Sequence, residues 1–274
     1  MADVALRLEA VSHAFHPGTT SEVRALDAVD LELERGTFTA VLGTNGSGKS
    51  SLLNAIAGGL PLGGGRISLD GQDVTRWPEE RRALLVSRVF QNPFTGTASD
   101  LSVAENLTLA AQRGGRRWLR PAVGRDRRRS LRDMVARLGM GLEERLDTPM
   151  GLLSGGQRQA LTVLMATIVR PTLLLLDEHT AALDPRSAEQ VVRLTQEVVA
   201  AGGLTTLMVT HSMAQAVQLG DRVLVMHRGR VAYDLGGVRR QRLHEDDILR
   251  LFDQLRWADR LDDSAAEMLR RAYV

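Results

Sequence analysis

Gly43-Thr44-Asn45-Gly46-Ser47-Gly48-Lys49-Ser50 is the stretch on which the reading of this chain turns. It has the form GxxxxGK[ST], a loop whose backbone N–H groups cradle an anion and whose lysine reaches back to it. The run before it, residues 37–42, is β-rich, and residues 50–57 read as a helix stopped by Gly58-Gly59. Strand, glycine loop and helix in that order aim the loop and the helix N-terminus at one point, where a phosphate is held. Lys49 is the only lysine among the 35 basic Lys and Arg residues. Codon bias accounts for the arginines but not for where the exception falls. A compact ammonium on a flexible stem fits under such a loop, and a planar guanidinium does not.

Further along, four leucines at 173–176 run into Asp177-Glu178. The run is too short for a helix and reads as a strand buried on both faces of a parallel sheet. Its acidic end then lies at the C-terminal edge of the sheet, where ligands bind in doubly wound folds. Asp177 there is placed to hold Mg²⁺ with the Ser50 hydroxyl, and Glu178 to take a proton from an attacking water. A third element, Leu153-Ser154-Gly155-Gly156-Gln157-Arg158-Gln159, opens a long helical run and makes a second anion-accepting helix start. It lies about 105 residues from Lys49. The economical use of two such surfaces is a dimer, each nucleotide lying between the glycine loop of one copy and the serine-glycine turn of the other.

The remainder is ordinary for a globular chain: 274 residues, 43% hydrophobic, 25% charged, and only 4% aromatic, so aliphatic side chains must fill the core. With no cysteine, disulfides and thiolate-bound metals are excluded. The start, Met1-Ala2-Asp3-Val4, does not read as a signal peptide, and no apolar run approaches the ~18–20 residues of a membrane span. A net charge of +2 gives no reason to expect a nucleic-acid partner. The charge is nevertheless uneven, with nine arginines and one acid, Asp126, between 113 and 132. That run reads as a contact for anionic lipid or nucleic acid, or as a solvated, partly helical surface. Strands and turns fill the first third, a helical pattern runs from about 92 to 152, and residues 187–201 read as a helix. Residues 204–210 read as a buried strand ending at His211, and 223–226 with 230–233 as a closing hairpin. Beyond Gly236-Gly237, Ile248, Leu251, Phe252 and Leu255 share one helical face. That tail reads either as a helix packed on its own domain or as a regulatory or dimerising element.

In these motifs and their order the chain resembles the nucleotide-binding subunit of ATP-binding cassette (ABC) transporters, over roughly residues 4–233. The resemblance implies an α/β P-loop NTPase core with a parallel-containing sheet, an N-terminal antiparallel β subdomain and an inserted α-helical subdomain at about 92–155. Together they form a domain at 1–235, followed by a tail at 236–274. It implies ATP and Mg²⁺ as cofactors and assigns each motif a role. Phe15 matches the aromatic that stacks on adenine. Gly43, Thr44, Asn45, Gly46, Ser47, Gly48, Lys49, Ser50 and Ser51 match the phosphate loop and the start of its helix. Gln91, in Val89-Phe90-Gln91-Asn92-Pro93, matches the glutamine that contacts Mg²⁺ and water and senses the membrane partner. Ser154, Gly155, Gly156 and Gln157 match the signature turn, and Asp177 the metal carboxylate. Glu178 matches the catalytic carboxylate, Asp184 in Ala182-Leu183-Asp184 the D-loop, and His211 the histidine that contacts the γ-phosphate.

The chain departs from the family where His179-Thr180-Ala181 replaces a frequent Pro-Thr-Ser. With Gln91-Asn92-Pro93-Phe94-Thr95-Gly96-Thr97 and Glu105-Asn106-Leu107, that segment is similar to a branch associated with periplasmic solute-binding proteins, some proposed to import tryptophan, tyrosine or related solutes. The resemblance therefore implies an ATPase that powers import of a small organic solute. It would work as a dimer with transmembrane permease subunits and an extracytoplasmic solute-binding protein, peripheral on the cytoplasmic face of a bacterial inner membrane. The alternatives are an exporter or lipoprotein-type ATPase, and a soluble, non-transport ABC ATPase acting on DNA or ribosomes. The last is disfavoured by the absence of sustained heptads and of a second cassette. A P-loop kinase or GTPase has no use for the Ser154 turn.

Overall fold

The structure, a computed structural model, describes residues 3–114, 125–237, 240 and 243–272. Four antiparallel strands form one sheet: β1 (Val4–Phe15), β2 (Val23–Glu34), β4 (Gly64–Leu69) and β5 (Gln72–Asp73), in the order β2-β1-β4-β5. The second sheet is built from β3 (Phe38–Gly43), β6 (Val86–Val89), β7 (Leu173–Asp177), β8 (Thr206–Val209), β9 (Arg222–His227) and β10 (Arg230–Leu235), in the order β10-β9-β3-β8-β7-β6. Every neighbouring pair in it is parallel except β9 with β10, the expected closing hairpin. The helices are α1 (Lys49–Ala57), α2 (Glu79–Arg82), α3 (Val103–Ala111), α4 (Arg125–Ala136), α5 (Gly155–Thr167), α6 (Pro185–Gly202), α7 (Met213–Leu219) and α8 (Glu245–Ala272).

The six-stranded sheet separates two cores, and the two-residue period of its strands sorts side chains between them. Ala40, Leu42, Leu174, Leu176 and Met208 face one core, with α3 to α8. Val41, Leu173, Leu175, Leu207 and Val209 face the other, with α1 and the four-stranded sheet. This is why 173–176 is four leucines rather than an alternation: each face has its own core to fill. All four are fully buried, which contributes roughly 1.5–3 kcal/mol per side chain relative to exposure.

Two sequence expectations change here. Strand β8 is shorter than 204–210. Leu204 belongs to the turn closing α6, its N–H donating to the Val199 carbonyl, and the Thr210 hydroxyl has turned away to donate to Gln215 Oε1 at 3.1 Å. The arginine-rich run is not one solvated surface. Arg113 is half-buried, and its guanidinium donates to Ser87 Oγ and to the carbonyl of Val169. Arg128 and Arg132 are paired with Asp147 and Glu144, acids supplied from outside the run. Positions 115–124 of it lie outside the described residues. The tail helix α8 packs on the same core as α3 to α7 through Ile248 and Phe252. It is also pinned near its middle, where Asp259 accepts from His227 Nε2 and pairs with Arg228, both at 2.9 Å.

Candidate functional site

Four parallel strands end on one edge, and their register sets the heights of the segments that leave them. Val209 of β8 is level with Val41 on one side and with Asp177 on the other, and Val89 of β6 is level with Leu176. The glycine loop after β3, Thr210-His211 after β8, Asp177-Glu178 at the end of β7, and Phe90-Gln91 after β6 therefore stand side by side.

Within the loop, Gly48 adopts φ 102°, and a Cβ there would lie 2.4 Å from the Ala25 carbonyl oxygen. Only glycine satisfies both the angle and the space. Lys49 is 6% exposed and folds back, donating from Nζ to the carbonyls of Gly43 at 2.8 Å and Thr44 at 2.9 Å. Burial pushes its ammonium pKa down, opposed by the nearby charges of Glu178 and Asp177. Helix α1 begins without a side-chain cap and without an acid in its first turn. Its first N–H groups are thus free of the partners that most helix starts acquire. The Ser47 hydroxyl is buried without a hydrogen-bond partner. An uncapped helix start, an unpartnered buried hydroxyl and an ammonium under the loop fit a bound polyphosphate.

At the acidic edge, Glu178 Oε1 and His211 Nε2 are 2.7 Å apart, the carboxylate largely buried and the imidazole half exposed. Asp177 is engaged by a residue that the sequence reading missed. Arg88 of β6 donates from Nη2 to Asp177 Oδ2 at 2.6 Å and from Nη1 to Asn54 Oδ1 of α1 at 2.6 Å. A signal for it existed, since a lone guanidinium in a buried strand demands an anionic partner. Asp177, Ser50 and Gln91 offer oxygen donors only, the donor type that suits Mg²⁺. Gln91 is exposed, and the carbonyl before it, on Phe90, accepts from Gln159 Nε2 of α5 at 3.1 Å. Phe15 is also exposed, its ring edge-on to His13 at 4.8 Å between centroids.

The signature turn opens a different helix from the one that follows the phosphate loop. Ser154 caps α5 in a reciprocal box with Gln157, each bond 3.3 Å. Its oxygen accepts from the helix while its O–H stays available to donate. Helix α5 packs on α3, α6 and β6, whereas α1 packs on β2, β3 and β7. Gly156 approaches Ser187 of α6 so closely that a Cβ would lie 2.7 Å from it. Asp184, expected at the nucleotide, also caps α6, accepting from the Ser187 N–H at 3.0 Å. Hydrogen bonding to the Ser187 side chain, then to its N–H, holds the Asp184 carboxyl below the usual range. His179 is fully buried, 3.2 Å from Thr195 Oγ1 of α6, and burial lowers its pKa to about 4. Thr180 accepts from Gln215 Nε2 at 3.1 Å, so Gln215 bridges the segment after β7 to Thr210 before His211.

A family model described as ABC transporter matches residues 26–181. A tyrosine transport ATP-binding protein of Clostridioides difficile (strain R20291) is 38% identical over 249 residues, covering 90% of this chain and 98% of its own length. The thiamine import ATP-binding protein ThiQ of Salmonella choleraesuis (strain SC-B67) is 37% identical over 204 residues, 74% of this chain and 81% of that one. Among solved structures, a dimeric ATP-binding cassette in a post-hydrolysis state with ADP and phosphate bound superposes with a TM-score of 0.72 at 25% identity, covering 84% of this chain and 97% of that one.

Proposed function

Because this chain belongs to the ABC transporter family, as an ATP-hydrolysing subunit, we propose that two copies close around two ATP·Mg²⁺ and drive import of a small organic solute. The observation that carries this reading is that two helix starts suited to phosphate, at Lys49 on α1 and at Ser154 on α5, belong to helices packed on different parts of one subunit. A nucleotide needing both meets them only across a dimer, and the dimeric relative with ADP and phosphate supports that arrangement.

In the proposed site, Phe15 stacks on adenine. The N–H groups from Gly43 to Ser51, with Thr44, Asn45, Gly46, Ser47 and Gly48 between, surround the phosphates, and Lys49 neutralises them. Ser154, Gly155, Gly156 and Gln157 of the second copy close over the γ-phosphate, with Asp184 beside them. Ser50, Gln91 and Asp177 hold Mg²⁺, which when bound offsets phosphate charge. Glu178 takes the proton of the attacking water, and His211 holds that carboxylate in place.

The partner that turns closure into transport is a separate permease. Among the described residues no helix is long and apolar enough to cross a membrane. A groove of about 550 Å³ between β6, α3 and α5, lined by Leu109, Phe90 and Arg113, supports a docking surface. Exposed Phe94 and Leu84 lie near it in sequence. The subunit would then sit peripherally on the cytoplasmic face, with an extracytoplasmic solute-binding protein delivering solute. The similarity to a tyrosine transport protein supports a tyrosine-type solute. The domain division proposed is an ATPase unit at 1–235 and a tail at 236–274.

The test is complementation. Lys49→Ala and Ser154→Arg subunits, each inactive alone, are mixed, and hydrolysis is expected to return because each heterodimer holds one intact composite site. Demonstrated heterodimers without recovery would overturn the shared site.

A further inference from the structure

Arg88 is placed unlike any other cation near the site. Its side chain is 16% exposed and that of Asp177 15%. The guanidinium joins three elements: β6, which carries it, β7 through Asp177, and α1 through Asn54. Its carbon lies 4.8 Å from the Phe90 ring centroid, one residue before Gln91, and its Nε is buried without a partner. Little freedom is left to such a fork, and little water screens its charge.

We propose that Arg88 is a resident counter-ion of Asp177 that shares this carboxylate with magnesium and so loosens the hold of the site on Mg·ADP. The inference rests on Asp177 as the carboxylate that meets the metal. Arg88 engages one of its two oxygens, so a divalent ion reaching the other meets a carboxylate already half neutralised and a fixed positive charge behind it. Both effects oppose the metal, and both act in a poorly screened setting. The benefit is turnover, because product leaves a site that never binds its metal to the full. Arg88 is therefore a positioning residue, acting through Asp177 rather than on the nucleotide.

A strut that merely ties β6, β7 and α1 together would make a different prediction. The readout that separates them is the ratio of the ADP dissociation constant in EDTA to that in Mg²⁺, measured calorimetrically on the full chain. Arg88→Gln keeps hydrogen-bond donors but no charge, and Arg88→Met keeps neither. Both are expected to raise the ratio roughly three- to tenfold, with Arg88→Lys staying near the parent chain. Should Arg88→Met fail to fold, Arg88→Gln carries the comparison. Asn54→Ala, which removes the other anchor and leaves the charge, is expected to lower the melting temperature without moving the ratio. A ratio in Arg88→Gln equal to or below that of the parent chain would overturn the proposal, as would an equal rise in Asn54→Ala. Asp177→Asn separates the two levels. If it leaves the ratio intact, the metal assignment of Asp177 is wrong. If it abolishes the ratio while Arg88→Gln changes nothing, only the counter-ion role of Arg88 fails.

Discussion

Glu178 Oε1 and His211 Nε2 stand 2.7 Å apart although 33 residues separate them, because each lies just past the end of one of two adjacent parallel strands. The contact has a local cost. Glu178 sits at φ 44°, a left-handed conformation that disfavours a residue with a Cβ by about 1–2 kcal/mol. Its backbone is fixed there by two hydrogen bonds of 2.9 Å, from its own N–H to the Val209 carbonyl and from the Ala181 N–H to its carbonyl. A strained residue held this firmly, with its carboxylate against a histidine at the sheet edge, fits the proton-accepting role proposed for it.

Glu178→Gln keeps the shape and removes the proposed base. ATP affinity is expected to stay within about twofold while phosphate release falls by about 100-fold or more, and the protein should elute as a dimer with ATP. Normal turnover in this variant would remove Glu178 from its role.

Lys49→Arg keeps the charge and loses the fit. Nζ lies within 2.9 Å of both Gly43 and Thr44 carbonyls, in a hollow that leaves the side chain 6% exposed. A planar fork cannot make both contacts from there. ATP binding is expected to weaken roughly tenfold or more by equilibrium titration. The chain has no other lysine, so nucleotide protection of this one amine from acylation gives an independent measure of occupancy.

His179 sets an acid limit on stability. Its pKa is about 4 in the folded chain, against 6.5 for a free histidine, because burial penalises the charged ring. Above pH 6.5 neither state binds the proton and the residue costs nothing. Below that the unfolded chain takes it up first, so stability is lost as pH falls from 6.5 to about 4 and not further from this group. The loss amounts to about 3 kcal/mol in all. Denaturant midpoints followed across that range should fall in the parent chain and fall less in His179→Gln. Parallel curves would rule the residue out.

Gly156→Ala tests the seam between α5 and α6. The new methyl would lie 2.7 Å from both Cβ and Oγ of Ser187, and overpacking of this kind costs about 1–3 kcal/mol. Thermal melting should drop by several degrees, and adding Ser187→Gly should restore most of it. No recovery in the double variant would place the strain elsewhere.

The parts of this fold that a short sequence pattern encodes were legible. The loop before Lys49, the leucines before Asp177 and the Ser154 turn each need particular residue types at fixed spacing, and the edge shared by the first two follows from parallel strands. What escaped notice depends on partners distant in sequence. The anion that Arg88 needs is identified only once Asp177, 89 residues on, is seen beside it. His179 looks like a simple replacement for proline until Thr195 is found facing it. Asp184 is assigned to the nucleotide by its motif, yet the same carboxylate also caps a helix, and capping is visible only once the helix start is located.

The position of β3 between β8 and β9 sets a schedule for synthesis. The strand that delivers the phosphate loop leaves the ribosome early, but both of its neighbours lie between residues 206 and 227. At about 5–20 residues per second, an entirely buried strand waits roughly eight to thirty seconds for its first in-sheet partner. Until those strands arrive, an apolar segment keeps both of its backbone edges open, the kind of edge that pairs with other chains.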